Sequence, residues 1–388
     1  MNTPPLNNQT KIPHYDYIIA GAGAAGLSLL MRMLDSPFFQ QKRILIADKS
    51  VKNVNDRTWC FWEKNAGYFE NIVFKKWESL RFFSDRWSDE LQLEGYQYKM
   101  IRGIDFYNHC FARIQSSPLV DFRQGEIKFV TVGECTSVLI DGKEVSTGNS
   151  TVFSSIPAER SAGSLELLQH FKGWIIETNE PVFDQSTATL MDFRVPQNKG
   201  TTFCYTMPFS TTTALVEYTV FSEELISVPD YESGLRYYID SVLKIRNYRI
   251  VEEEYGIIPM TNANLPFLNR GIYYIGTAGG QTKPSTGYTF QFIQGQSELI
   301  VDMISKGKTL ITLPSIPKRF QFYDSVLLQL LKEGQLPGNE IFSRLFSRNK
   351  ASLIFKFLDN QTNIREELSL ISTLQIRQFF KAALKQAK

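Results

Sequence analysis

An α/β fold is predicted: a Rossmann-like dinucleotide-binding domain, a second β-rich substrate lobe and a helical C-terminal region. Three observations lead to it. A short apolar strand, a glycine-rich turn and a helix follow one another between Asp16 and Leu34, and a second apolar strand ends at Asp48. The stretch 201–221 is dense in β-branched and aromatic residues, and everything beyond Pro317 reads as helical.

Taken in order, Asp16–Ala20 is short and apolar, Leu27–Leu34 has helical character, and Ser36-Pro37 breaks that helix. Arg43–Ala47 completes a β-α-β unit, the building block of a parallel sheet. Residues 77–98 alternate aromatic and polar positions and predict strands. A helix is expected over Met100–Ile114, and a β-meander over Phe122–Val145 with turns at Gly133 and Gly142. Thr151–Ser154 predicts another sheet strand, and Tyr231–Leu243 a helix. Pro259 and Pro266 read as loops, and Gly271–Gly276 as a strand entering a second glycine-rich turn, with helical sequence from Phe290 to Ile304. Sheet strands are therefore scattered along the chain, which makes the lobes discontinuous: 14–62, 99–155 and 268–310 for the dinucleotide-binding domain, 63–98 and 156–267 for the substrate lobe, and 311–388 for the helices.

Composition narrows the chemistry. With 388 residues, 43% hydrophobic and 21% charged, the chain is long enough for two lobes around a large core. The 29 Phe, 17 Tyr and 5 Trp suit an aromatic core and also an apolar cavity for a large greasy ligand. Four scattered cysteines without a CxxC pair argue against a zinc site or a disulfide framework and fit a reducing cytoplasm. Three histidines, His14, His109 and His170, leave acid–base work to carboxylates, Tyr or Lys. The first fourteen residues are polar with no apolar signal core, and no segment has transmembrane length. Residues 317–388 carry 12 Lys/Arg against 6 Asp/Glu. No nucleic-acid motif accompanies this basic tail. Phe342, Leu345, Phe346, Leu353 and Phe357 fall on one helical face with Arg344 and Arg348 opposite, a face suited to a membrane surface or to packing on the domain itself.

The turn Gly21-Ala-Gly23-Ala24-Ala-Gly26 is a GxGxxG sequence set between strand and helix, with Asp48 lying 22 residues after Gly26. The first glycine allows the tight turn, the second lets backbone approach a pyrophosphate, and the third lets helix pack on sheet. Asp48, with Lys49 beside it, is placed to meet the adenosine ribose. A second strand–turn–helix, Tyr274-Ile-Gly276-Thr277-Ala-Gly279-Gly280-Gln-Thr-Lys-Pro284-Ser-Thr-Gly287-Tyr288, separates FAD from NAD. Its late return is how flavoproteins close over the ribityl and isoalloxazine parts. Arg57, in Asn55–Glu63, and Arg102 are candidates to neutralise a phosphate, the alternative for each being a surface arginine. Glu217 lies in Ala214-Leu-Val-Glu-Tyr-Thr-Val-Phe221, apolar on both faces. A carboxylate buried there is costly unless it is paired or protonated, and the alternative is a wet face. The run Glu252–Glu254, ahead of Tyr255-Gly-Ile-Ile-Pro-Met260, reads as solvated.

Several of these segments resemble the lycopene cyclases: Pro284-Ser-Thr-Gly-Tyr288, the Arg57-Thr-Trp aromatic cluster, the Leu-x-Glu-x-Thr setting of Glu217, and Gly256-Ile-Ile-Pro-Met260. Plant enzymes of that family carry two adjacent acids where this chain has Val216 and Glu217. Thr277 stands where many flavin hydroxylases have Asp. The likeness spans roughly residues 15–300. It implies conversion of the linear ψ end groups of lycopene to β-ionone rings, giving β-carotene, with Glu217 as the catalytic acid. It also implies FAD that must be reduced without being consumed, with NAD(P)H serving only as an indirect reductant. From the cysteine and histidine content no metal is expected, and the basic tail suggests a place at the inner face of the cell membrane. An FAD hydroxylase or desaturase is the enzymatic alternative, distinguished by substrate-dependent NAD(P)H oxidation or oxygen uptake. A catalytically silent flavin-bound partner module is the other.

Overall fold

The computed structural model of the chain describes residues 14–132, 135–145, 150–157, 164–311 and 316–386. The polar stretch before His14 and the expected turn at Gly133 lie outside the described residues. The predicted β-α-β unit is formed by β1 (Tyr17–Ala20), α1 (Ala24–Asp35) and β2 (Ile44–Asp48). β1 runs parallel to β2 on one side and to Thr151–Ser154 on the other. Ile272–Tyr274 and Val120–Gln124 extend this parallel sheet at its two sides. Val120–Gln124 therefore leaves the expected meander, whose remaining strands, Ile127–Val132, Cys135–Ile140 and Lys143–Glu144, form a small antiparallel sheet of their own. That small sheet packs on Ile18, Leu45 and Ala47. α1 and the helix Phe290–Ser305 cover the opposite face through Ile19 and Ile46. Cover on both sides is why β1 and β2 are apolar at nearly every position.

The second large sheet has seven strands, in the order Tyr248–Thr261, Glu166–Thr178, Thr213–Ser222, Thr201–Pro208, Thr187–Asp192, Ser79–Phe83 and Ser88–Leu91. Val216, Tyr218 and Val220 turn to one face, under the helix Val228–Tyr237 and the π-helical turn Tyr238–Val242 that continues it. Leu215 and Phe221 turn to the other face, under the C-terminal helices. Pro259 lies inside the long strand Tyr248–Thr261, not in a loop. That strand is at the sheet edge, where a missing backbone donor is tolerated.

A fourth sheet joins the two lobes: β3 (Thr58–Glu63) pairs with Gln97–Arg102, which also pairs with Lys75–Trp77. The expected helix at Met100 consequently starts at Gly103, because Met100 and Ile101 are held opposite Cys60 and Trp59. Five helices follow from Lys318 to Gln386. The tail's expected amphipathic face is not one helix, since Gly338–Arg348 and Ala351–Leu358 are separate. Phe342, Leu345 and Phe346 are buried in the protein's own core, so they are not the surface that meets a membrane. Among the described residues no helix is long and apolar enough to cross one.

Candidate active site

The two glycine turns meet at the head of α1. Gly21 has φ +104°, and a Cβ at Gly26 would lie 1.9 Å from the Gly21 carbonyl oxygen, so the third glycine seats the helix on the turn. A Cβ at Gly23 would meet nothing within 4 Å, and no side chain caps the N-terminus of α1 at Ala24. Asp48 is buried, its carboxylate accepting from the Ala22 and Ser50 amides at 2.7 and 2.8 Å. This fixes the end of β2 against the glycine turn. Lys49 is exposed beside it.

Gly276 brings the downstream segment in. Its φ is +62°, its Cβ position lies 2.6 Å from the Ala25 methyl, and its amide donates to Gln296 Oε1. Thr277 accepts from the Thr282 hydroxyl; Gly279 packs against the Tyr274 carbonyl, and Gly280 closes the turn at φ +76°. Gly287, at φ +73°, lies so near Gln169 that a Cβ would come 2.2 Å from Oε1. Gln169 Oε1 and Thr286 Oγ1 are buried without a hydrogen-bond partner beside that turn. Two left-handed glycine turns against one helix N-terminus, with unsatisfied polar atoms next to them, fit a dinucleotide cofactor with a polar ring system.

The two candidate arginines are neighbours but differ in engagement. Arg57 is exposed and donates to the Asp56 carbonyl, whereas Arg102 is clamped by Asp105 at 2.6 and 3.0 Å and lies over the Phe74 ring. The Gly103 amide donates to the Arg57 carbonyl, which holds both arginines at one end of the sheet containing β3.

Glu217 is only 8% exposed, and its whole strand is buried except at the ends. It shares a face with Thr219, whose hydroxyl donates to Oε1 at 2.7 Å. Its cross-strand partner Tyr205 and its same-face neighbour Phe221 both line a cavity of about 260 Å³ under the C-terminal helices. Trp62, Tyr288, Phe342 and Phe355 complete much of that aromatic wall. Trp62 stacks on Phe355 at 4.6 Å and meets Tyr288 edge-on at 4.3 Å. Tyr288, expected at the cofactor, thus faces the cavity and lies within hydrogen-bonding reach of Tyr205 and Tyr98.

Burial is the main force holding the Glu217 carboxyl well above the usual carboxylate range, and the neighbouring carboxylate of Glu254 adds to it; Thr219 pulls the other way. Glu254 is the residue that sequence reading passed over. Glu252 and Glu253 are exposed as expected, but Glu254 turns inward, accepts from Thr58 Oγ1 at 2.6 Å, and has Oε1 shut off from solvent. Its pKa is raised too, by burial first. Alternation along the strand was the available signal: Glu254, Gly256 and Ile258 share one face. Lys283 and Ser285 were also unassigned. Both bind the buried Asp324, at 2.9 and 2.6 Å, tying the Pro284–Tyr288 turn to the helix Lys318–Glu333. Beyond Trp62, Asp359 accepts from the indole at 3.0 Å, and burial pushes its carboxyl up to about 7.

A parallel sheet with two glycine turns at one helix head, set against a large, mostly antiparallel sheet, is a flavoprotein fold. Solved structures agree: a flavoprotein/dehydrogenase from Cytophaga hutchinsonii superposes with a TM-score of 0.63 at 11% identity, covering 97% of this chain and 100% of that one. A geranylgeranyl bacteriochlorophyll reductase-like protein from Thermoplasma acidophilum gives 0.60 at 11%, covering 95% and 98%. Within that class the family is specific. The family model described as lycopene cyclase protein matches residues 16–385, and the chain belongs to that family. It is 25% identical to a chloroplastic lycopene beta cyclase of an Oncidium hybrid cultivar over 77% of its length, and 24% identical to a lycopene beta-cyclase of Pantoea ananas over 71%. It spans 66% of the Oncidium protein and 71% of the Pantoea protein.

Proposed function

We propose that the protein is a lycopene β-cyclase, closing linear ψ end groups into β-ionone rings without net redox change. The observation that carries this reading is Glu217, a carboxyl that burial holds well above the usual carboxylate range, set behind an aromatic cavity that its neighbours Tyr205 and Phe221 line. An alkene is a weak base, and its protonation needs an acid that has kept its proton in a dry site. Glu217 supplies that proton at the end-group double bond. The π pair forms the new C–H bond, and the resulting cation is attacked by the next alkene. Loss of a ring proton leaves the ring double bond. The faces of Tyr205, Phe221, Trp62 and Tyr288 stabilise the cation, by roughly 2 kcal/mol or more each when desolvated. Gly21, Gly23, Ala24 and the Gly276–Gly280 turn would hold FAD, with Asp48 toward its ribose. Reduced FAD, when bound, supplies negative charge near the cation.

Expression in a lycopene-accumulating bacterial host tests the reading. The expected product has the mass of lycopene and two β-rings. Reaction of the purified protein in deuterated water is expected to leave one deuterium per ring formed. A product differing from the substrate by oxygen or hydrogen would overturn the cyclase assignment in favour of the hydroxylase or desaturase.

The substrate dissolves in lipid, and the cavity's outer lining supports delivery from a membrane surface. Phe322, Ile376 and Phe380 both line the cavity and are 37%, 61% and 62% exposed. Leu384 continues the stripe one turn on, and Arg377 and Lys381 are exposed on the same helix, Ile376–Gln386. An apolar stripe flanked by cations suits anionic lipid, at roughly 1 kcal/mol per basic residue near the surface. The protein is expected to sediment with phosphatidylglycerol vesicles at low salt and to lose this on Ile376→Ser/Phe380→Ser. Equal sedimentation with neutral vesicles would count against the charge contribution.

A further inference from the structure

Glu217 and Glu254 reach each other across an intervening strand, which ordinary sheet geometry discourages. Adjacent strands are about 4.8 Å apart, so residues two strands apart are normally separated by the side chain between them. Here that residue is Gly173. It pairs with Glu217 on one side and with Glu254 on the other, so all three lie in one cross-strand row. A Cβ at Gly173 would sit 2.8 Å from Glu254 Cγ and 3.1 Å from its Oε1. The Glu254 side chain therefore lies over the bare glycine, on the way to Glu217.

Each carboxyl group is also pinned from outside. Thr219 donates to Glu217 Oε1 and Thr58 donates to Glu254 Oε2. Glu254 Oε1, buried and without another partner, is left facing Glu217. Thr58 is on β3, so this contact also ties the dyad to the dinucleotide-binding half of the molecule.

We propose that Glu254 is the proton-sharing partner of Glu217, that the pair carries one proton and one negative charge between them, and that Gly173 is the gap that lets them meet. This rests on the cyclase reading for its consequence in catalysis. Glu254 acts through Glu217 and is a positioning residue. In the reaction, the Glu217 proton passes to the alkene carbon, leaving two carboxylates beside the new cation. When the ring loses its proton, the C–H electron pair becomes the ring double bond. The proton returns to the carboxylate pair, which then exchanges with water. Nothing is oxidised or reduced. Two adjacent buried carboxylates cannot both stay ionised without a cation beside them, so release of the proton is linked to formation of the cation and its return to the cation's loss.

Of the groups around the dyad, Asp359 is pushed by burial to about 7 and changes charge near neutrality. Cys60, Tyr98, Tyr205 and Tyr288 face Glu217, Cys204 lies on the opposite face of the sheet, and burial pushes every one of them up. Arg57 and Glu252 act on Glu254 in opposite directions. On the outer side of the sheet Lys172 is paired with Glu232 and Glu253. Across the cavity lie Asp359, on Trp62, and the Lys283–Asp324 pair.

The test is the pH–rate profile of flavin-loaded wild type, Glu254→Gln and Glu254→Asp, together with infrared titration of the carboxylic C=O band. Removing the Glu254 charge lowers the pKa of Glu217, so the fall in rate at high pH should move acidward by about one unit or more. Glu254→Asp, which keeps the charge, should bring the profile much of the way back to wild type. Gly173→Ala, which forces Glu254 aside, should shift in the same direction. A Glu254→Gln profile that is unshifted, or lowered equally at every pH, overturns the dyad. The infrared band separates the two readings. A band that persists to alkaline pH, vanishes in Glu217→Gln and titrates earlier in Glu254→Gln supports the dyad whether or not lycopene is the substrate. A band unmoved by Glu254→Gln refutes it even if cyclisation is confirmed.

Discussion

Glu217→Gln is expected to abolish cyclisation while leaving a folded, flavin-loaded protein. Gln preserves the shape and can still accept from Thr219, whose hydroxyl lies 2.7 Å from Glu217 Oε1. It cannot protonate an alkene. The rate should drop by at least the ~10²–10⁴-fold typical of a general acid. Glu217→Asp should be intermediate, because the shorter side chain withdraws the acid from the cavity and from Glu254. Stability should move the other way. The Glu217 carboxyl is raised in the folded protein from an ordinary value of 4.5. Below that value it is protonated in folded and unfolded states alike. Above it, the folded state alone holds the proton, so wild-type stability falls as pH rises toward the folded pKa. Gln does not titrate. The Tm of Glu217→Gln should therefore exceed that of wild type by a margin that grows from about pH 4.5 upward, measured by calorimetry on flavin-loaded protein. Wild-type turnover in this variant would remove Glu217 from the mechanism, and a lower Tm at neutral pH would show that its carboxyl is not buried at a cost.

Gly23→Val should eliminate bound flavin with little change in the apoprotein. The backbone at Gly23 is ordinary, with φ −88°, and a Cβ there meets no protein atom within 4 Å. The valine side chain instead occupies the approach to the helix N-terminus that a pyrophosphate needs. Flavin absorbance of the purified protein should fall to background even after incubation with FAD, while circular dichroism and the Tm of the flavin-free protein stay near wild type. Gly26→Ala is the contrasting case. Its methyl would meet the Gly21 carbonyl oxygen at 1.9 Å, so helix and turn must separate, and the apoprotein itself should lose stability, typically by ~1–3 kcal/mol. Full flavin occupancy in Gly23→Val would place the cofactor elsewhere.

Local pattern carried much of the fold. β1, α1 and β2 are legible because a strand buried on both faces is apolar throughout and a glycine turn before a helix has few other uses. The strand Thr213–Ser222 was legible for the same reason, and Glu217 was conspicuous as its lone carboxylate. Boundaries went astray where pairing overrode propensity. Met100–Arg102 is strand because β3 lies alongside, and Val120–Gln124 joins the parallel sheet because β2 offers its edge. The tail's apolar face was legible as apolar, but lipid and its own domain both stayed open, since a helical wheel does not say which of the two the face meets.

By itself, then, the sequence determined the element types, the two glycine turns, the helical tail and the isolated acid, because each is encoded in residues a few positions apart. The tertiary structure alone decided which turn meets which, what covers the aromatic residues, and which glutamate of the run Glu252–Glu254 turns inward. Gly173, Glu217 and Glu254 are separated by more than thirty residues at each step, and nothing local marks them as a group. They become one row only when three strands align in register, and a missing side chain on the middle strand leaves room for two carboxyl groups to share a proton.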